Sequence, residues 1–317
     1  MKPRISIIIP VKDEQANLPI LIAELELTIA ALQESYQFHV LILDDGSVDA
    51  TVDIVKSSHP KNFSLGLCSF TRNFGKEAAI AAGLEKCESD AYIVMDADLQ
   101  HPPELIPQML EHWETGHLVV EAVKQHRGRE SLAYNLFSRF FYYWMSSMGD
   151  LKLEGASDFK LLDREVVNEF RRLPEKARFF RGLVSWMSFD SKQVLFDVPQ
   201  RKTGASSWST VQLIQYSINA TSSFTSAPLQ LVTMIGVVML GISVLLGSIT
   251  LIQWISGQAV TGFTTVIILL LMIGSMLMVS LGIIGLYISR IYDEIKARPA
   301  YTVSEEFDLS PPATAKE

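Results

Sequence analysis

From Thr203 to Ser289 the sequence contains no Asp, Glu, Lys, Arg or His, although charged residues make up 20% of the whole chain. A tract of that length without charge cannot form the surface of a water-soluble domain. Within it, residues 231–252 and 263–288 are apolar runs long enough for a bilayer, which takes about 20 residues. A buried helix of a soluble core is the alternative, and two such runs joined by one short loop argue against it. Cysteine is equally scarce. Cys68 and Cys87 are the two in 317 residues, which excludes a disulfide framework or a cysteine-rich metal site and implies reduced cytoplasmic thiols. The formal charge is −8 with no basic stripe, which excludes a nucleic-acid partner. The opening MKPRISIIIPVKDE has too short an apolar run before Pro10 to act as a signal peptide, so the large domain is expected on the cytoplasmic side.

What charge there is near the apolar tract is basic. Arg201 and Lys202 precede it, Arg290, Lys296 and Arg298 follow it, and the connecting SGQAVTG is uncharged. The positive-inside rule then predicts a multi-pass cell-membrane protein with both termini cytoplasmic and the loop outside. Trp254, Tyr287 and Tyr292 fit headgroup-level anchors. Ser243 and Gly247 form one small-residue pair in the first run, compatible with a homo-oligomer. The expected organisation is a catalytic domain at 1–202, an amphipathic interfacial segment at 203–228, two membrane helices at 229–290 and a cytoplasmic tail at 291–317. The stretch after Pro299 is expected to be disordered.

The N-terminal part alternates strand-like and helix-like segments. Strands are predicted at 5–10, 39–47, 63–70 and 91–96, and helices at 18–33, 49–58 and 76–87. Continuous Ile, Val and Leu runs mark strands covered on both faces, so the predicted fold is α/β, a doubly wound parallel sheet. Such sheets bind ligands beyond the carboxyl ends of their strands. Those ends carry PVKDE (10–14), DDGS (44–47), TRNFGK (71–76) and DAD (96–98). Four polar, acid-rich strand ends suggest one site, although capping of the following helices accounts for part of the pattern.

Asp96 and Asp98 are two residues apart, so an extended backbone would turn both carboxylates to one side. Two such groups repel unless a cation lies between them, and magnesium held by carboxylates and substrate phosphate is the standard arrangement. Gln100 adds a neutral oxygen; a helix-capping acid pair before PPEL is the alternative. Asp45 could bond a ribose or base, or belong to a tight turn in which Asp49 caps the next helix. Lys76 is either a cation for sugar or phosphate or a solvated surface residue. Arg127, Arg129 and Arg139 could grip an anionic headgroup beside Phe140, Phe141, Tyr143 and Trp144 on an interfacial helix at about 131–148, or lie exposed on a core helix. Arg201 and Lys202 could close over a diphosphate or merely flank a membrane segment. Asp158 alone is an ordinary acid.

Taken together, PVKDE, LDDGSVDAT, TRNFGKEAAIAAGL, MDADLQHPPE, SDFKLLDREVV, RFFRGLVSW and LYISRIYDEIKARP resemble, in order and spacing, the polyprenyl-phosphate glycosyltransferases of glycosyltransferase family 2. The likeness is to the bactoprenol glucosyltransferases and, more distantly, the dolichyl-phosphate mannose synthases. It covers nearly the whole chain and implies a GT-A fold. It further implies inverting transfer of a sugar, glucose from UDP-glucose or else mannose or an amino sugar, to a polyprenyl phosphate. On this resemblance Pro10, Val11, Glu14 and Asp45 match nucleoside-binding positions, and Asp96, Asp98 and Gln100 match ligands of Mg2+ or Mn2+ and the diphosphate. Lys76, Asp98 and Asp158 are the implied catalytic residues and Arg201 with Lys202 the phosphate contacts; beyond what the resemblance implies, Arg127, Arg129 and Arg139 are placed at the acceptor phosphate. Two departures stand out. Lys12-Asp13 replaces the usual aromatic-Asn, and Ser207 replaces the lysine of a G-x-S-K loop.

Two other classes compete. A processive polysaccharide synthase would need a Q-x-x-R-W motif and more spans, and the sequence has neither. A non-catalytic membrane sensor or transporter with a nucleotide-binding domain would be expected to carry ionisable residues in its spans, and these have none.

Overall fold

Ile5, Ile7, Ile8 and Ile9 are completely buried, as a strand covered on both faces requires. They belong to β1 (Arg4–Val11). The computed structural model describes residues 2–124, 157–175, 178–196, 227–257, 262–296 and 298–309. The chain divides into two units, Met1–Ser207 with Pro299–Glu317, and Trp208–Arg298. The first unit continues with α1 (Leu18–Ala30), β2 (Gln37–Asp44), α2 (Thr51–Ser57), β3 (Ser64–Phe70), α3 (Lys76–Lys86) and β4 (Ala91–Val94). A short 3-10 turn at Pro103–Leu105 leads into α4 (Ile106–Glu114) and β5 (Val119–Lys124). Then come β6 (Lys160–Asp163), α5 (Arg164–Arg172), α6 (Phe180–Trp186), β7 (Ser191–Phe196) and β8 (Val303–Leu309).

The eight strands form one sheet in the order β7-β5-β6-β4-β1-β2-β3-β8. The predicted parallel half is present: β4, β1, β2 and β3 run parallel. The strand order reverses between β1 and β4, the switch point where doubly wound sheets take ligands. The other half was not foreseen. β6 runs antiparallel to β4 and β5, and β7 parallel to β5, so the sheet is mixed.

Packing explains the local choices. α1 buries Leu18, Leu21, Leu25 and Ile29, one stripe of a 3.6-residue period. α3 lies so close to β1 that a Cβ on Gly83 would come within 2.4 Å of Ile8 Cγ2. The predicted strand 39–47 stops at Asp44 because Gly46 turns with φ +69°, and a Cβ there would meet the Arg72 backbone at 2.6 Å. Asp49 lies one residue before the N-cap, Ala50, which has no side-chain cap; its Oδ1 accepts the Thr51 N–H at 3.0 Å.

The stretch after Pro299 is not disordered through Leu309, which corrects the expectation. β8 pairs antiparallel along β3 and removes what would otherwise be an open sheet edge. Glu305 and Glu306 point to opposite faces and reach Lys56 of α2 and Lys86 of α3, each at 2.7 Å. Tyr301 stacks on Phe70 with centroids 4.9 Å apart.

The second unit contains α7 (Ala227–Ile255) and α8 (Phe263–Ile295). Both are long and apolar enough to cross a membrane, over Val232–Ile249 and Met272–Tyr292 at mean hydropathies of 2.3 and 1.9. Met234, Leu240, Leu277 and Met278 are well exposed along them.

Candidate active site

The ends of β1 and β2 are stitched into one frame. The Asp13 N–H donates to Ser47 Oγ and the Val48 N–H to Asp13 Oδ1, both at 2.9 Å. The Glu14 N–H donates to Thr51 Oγ1 at 2.9 Å, and Asn17 Nδ2 to Glu14 Oε2 at 2.7 Å. Asp13 adopts φ +54°, a left-handed conformation that Asp and Asn tolerate better than most residues. That is the physical reason Asp can stand where the resembling sequences have Asn. Pro10, Val11 and Glu14 thus line one rigid strand end, with Lys12 exposed beside it.

Asp45, 5% exposed, accepts the backbone N–H groups of Phe74 and Gly75 at 2.6 and 2.9 Å. Its carboxylate therefore anchors the RNFGK loop. Burial pushes its pKa upward, against the pull of those two donors.

The anchored loop delivers Lys76, first residue of α3. Its Nζ lies 2.5 Å from Asp96 Oδ1 and 2.5 Å from Asp158 Oδ2. The reason these two aspartates meet is register. Val94 pairs with Lys160 across the antiparallel β4–β6 ladder, so the chain leaving β4 and the chain entering β6 meet at the same end of the sheet, which brings Asp96 and Asp158 within reach of one lysine. A parallel β6 would have sent Asp158 to the far end of the sheet.

Asp158 is 4% exposed, and Arg181 of α6 grips it through Nε at 2.5 Å and Nη2 at 2.8 Å. Burial alone would raise the Asp158 pKa, but the Arg181 guanidinium and the Lys76 ammonium outweigh it and hold the carboxyl well below the usual range. Lys76 shows the mirror effect: burial lowers its pKa, and the charges of Asp96 and Asp158 raise it above an ordinary lysine. Glu77, next on α3, accepts the Phe180 N–H at 2.8 Å and so ties down the helix that carries Arg181. Burial, reinforced by the Asp158 charge, pushes Glu77 up to about 7. Behind Asp158, the 1%-exposed Lys160 pairs with Glu121.

Asp96 and Asp98 do not share an extended strand, which corrects the pleat argument. β4 ends at Val94, Leu99 turns with φ +61°, and Asp98 Oδ1 accepts the Gln100 N–H at 3.1 Å. The turn, rather than the pleat, sets how the two carboxylates are held. Among the described residues no group of three or more His, Cys, Asp or Glu forms a metal cage. Two carboxylates and a side-chain amide in one turn nevertheless make an oxygen donor set of the hard type that Mg2+ and Mn2+ favour, with substrate phosphates to complete the shell. The residues present fit such a group.

The sequence reading named Lys76, Asp96 and Asp158, and the structure brings them together. It missed Arg181, Glu77, His101 and the Lys160–Glu121 pair. RFFRGL contained the signal for Arg181, since an arginine between apolar residues of a short helix needs a partner. Arg127, Arg129, Arg139, Arg201, Lys202, the interfacial helix at 131–148, the amphipathic segment before α7 and the Ser207 loop lie outside the described residues. Cys68 is buried, and burial pushes its thiol up to about 11, as suits an inert thiol.

Residues 6–171 match the family described as Glycosyl transferase family 2. The chain belongs to glycosyl transferase family 2. It is similar to an uncharacterized glycosyltransferase of Synechocystis sp., 34% identical over 98% of this chain and 97% of that one. It is also similar to the bactoprenol glucosyl transferase of Shigella phage SfV, 33% identical over 96% and 99%. Among solved structures, glucosyl-3-phosphoglycerate synthase from Mycobacterium tuberculosis in complex with Mn2+, UDP-glucose and phosphoglyceric acid is 19% identical, with a TM-score of 0.45 over 68% of this chain and 76% of that one. The mixed sheet belongs to a glycosyltransferase domain of family 2 with a GT-A-like fold.

Proposed function

We propose that this family 2 enzyme transfers a sugar, glucose from UDP-glucose, to a polyprenyl phosphate at the cytoplasmic face of the cell membrane, with inversion at the anomeric carbon. The observation that carries this reading is the state of Asp158. Both of its oxygens are taken by cations and its pKa is depressed, so this buried acid is a poor general base. A nucleophile that needs no base suits such a site. A phosphate monoester, with a second pKa of about 6, is already a dianion near neutral pH.

In this reading an acceptor oxygen bonds to the anomeric carbon as the bond to the nucleoside diphosphate breaks. Lys76, fixed by Asp158 and Asp96, presents positive charge toward the donor, and Arg181 keeps Asp158 ionised and in place. Pro10, Val11, Glu14 and Asp45 frame the nucleoside side. Asp96, Asp98 and Gln100 would hold Mg2+ or Mn2+, which when bound supplies charge stabilisation to the leaving diphosphate. Arg201 and Lys202 are assigned to the donor phosphates, and Arg127, Arg129 and Arg139 to the acceptor phosphate. The acceptor's hydrocarbon tail stays in the bilayer, which gives α7 and α8 their purpose as membrane spans. Since β8 follows α8 yet belongs to the same sheet as β1, the chain must make an even number of crossings. That supports a two-span hairpin with both termini on one side. The likeness to bactoprenol glucosyl transferases, which extends through both apolar helices, supports the acceptor class.

The test is transfer by the full chain in detergent or vesicles, using radiolabelled UDP-glucose, undecaprenyl phosphate and Mg2+ or Mn2+. Label in a solvent-extractable lipid is the expected result, and the same assay with other nucleotide sugars decides between glucose, mannose and an amino sugar. No labelled lipid with any donor, or a polymeric product, overturns the proposal.

A further inference from the structure

The turn that carries Asp96 and Asp98 is strained at Leu99, a bulky residue at φ +61°, and such a conformation persists only where its surroundings over-determine it. Two contacts do so. Leu99 packs against the hydrophobic core, and His101 closes the turn. His101 is 3% exposed, and its Nδ1 lies 2.9 Å from the backbone N of Asp96. An N–H donates there, so Nδ1 must be the acceptor and the ring proton must sit on Nε2. The imidazole also stacks on Phe159, with centroids 5.1 Å apart and ring planes 19° from parallel.

Phe159 is the residue after Asp158. One buried ring therefore touches the backbone of Asp96 on one side and the neighbour of Asp158 on the other, and these are the two acids that Lys76 bridges. An apolar ring could also stack on Phe159, but it would offer no acceptor to the Asp96 N–H. What an acceptor at Nδ1 supplies is a partner for the part-buried Asp96 N–H, which donates into the turn at 2.9 Å.

We infer that His101 is a positioning residue for the donor site: by accepting the Asp96 N–H while stacked on Phe159, it fixes the aspartate turn against the Asp158 segment in the geometry that takes the metal–nucleotide. The inference rests on the reading of Asp96 and Asp98 as donor-site carboxylates. His101 itself need touch neither metal nor substrate.

The test compares H101F, which keeps the ring and loses the acceptor, with H101N, whose Oδ1 can stand near the place of Nδ1. Calorimetric binding of UDP with Mn2+ to the full chain is the readout, alongside KM for each substrate and the melting temperature. H101F is expected to weaken UDP–Mn2+ binding about tenfold, the effect of losing roughly one hydrogen bond's net worth, and to raise KM for the nucleotide sugar while leaving KM for the lipid acceptor unchanged. H101N is expected to recover most of the binding. If H101F is too unstable to measure, F159L is expected to shift UDP–Mn2+ binding in the same direction by a smaller factor. Wild-type affinity in H101F or F159L, or equal loss in H101F and H101N, overturns the inference alone. Failure of the wild-type chain to bind UDP with Mn2+ overturns both the inference and the reading of the donor site beneath it.

Discussion

Asp45 and Asp158 are both buried carboxylates at the same sheet edge, yet they are satisfied by opposite means. Asp45 receives two backbone N–H groups from the RNFGK loop and its pKa is raised. Asp158 receives an ammonium and a guanidinium and its pKa is lowered. Neutral donors on a buried acid tie down chain. Cations on a buried acid build a field, and they arrive on side chains that can also face a substrate: Lys76 and Arg181 remain 40% and 34% exposed. The first region is therefore structural support, and on the proposed reading the second is where charge is presented to the donor.

The comparison breaks most visibly at Asp158. D158N keeps the size but removes the charge that orders Lys76 and Arg181. We expect transfer to fall about 10²- to 10³-fold, in the range of losing a preorganised electrostatic group. The protein should remain folded, because both cations reach solvent. A rate loss confined to one substrate's KM would assign Asp158 to binding instead.

Asp45 should behave the other way. In D45N one amide N–H of the loop must face an NH2 group, so stability should drop by about 1–3 kcal/mol. KM for the nucleotide sugar should rise as Lys76 loses its anchored approach, with a smaller effect on kcat. Thermal melts and separate kcat and KM values decide this; a catalytic collapse without destabilisation would put Asp45 in the reaction itself.

Glu77 sharpens the contrast with the smallest effect. Its folded pKa of about 7 lies above that of an unfolded glutamate, about 4.3. The folded chain thus holds this proton to higher pH. The stabilisation is complete below about pH 4 and is lost as pH rises through about 7. E77Q keeps an acceptor for the Phe180 N–H but cannot ionise. It should therefore be more stable than wild type at pH 8 by about 1–2 kcal/mol, below the full shift because the side chain is partly exposed. At pH 5 the two should be nearly equal. Melting temperatures across pH 5–8 measure this, and parallel curves would mean that Glu77 does not titrate there.

Much of the parallel half-sheet is readable from composition, since runs such as ISIII and VLILD are buried on both faces whatever else the chain does. β8 is not. VSEEFDL holds three apolar residues and its partner β3 is more than two hundred residues away, so only the open edge of β3 reveals where it belongs. Asp96 was legible as half of an acid pair, but the pleat argument for its direction failed because the strand ends two residues earlier. Arg181 and His101 had to wait for the fold. One is a surface-like arginine and the other a lone histidine until Asp158 and Phe159 are packed against them.

The sequence by itself determined the bilayer-length apolar helices and the strand-ending motifs, because absence of charge and runs of β-branched residues act locally and leave few alternatives. Only the tertiary structure decided that Asp158 faces Asp96. That meeting depends on the antiparallel register of β6 on β4, and register is a property of two strands together that neither segment carries alone.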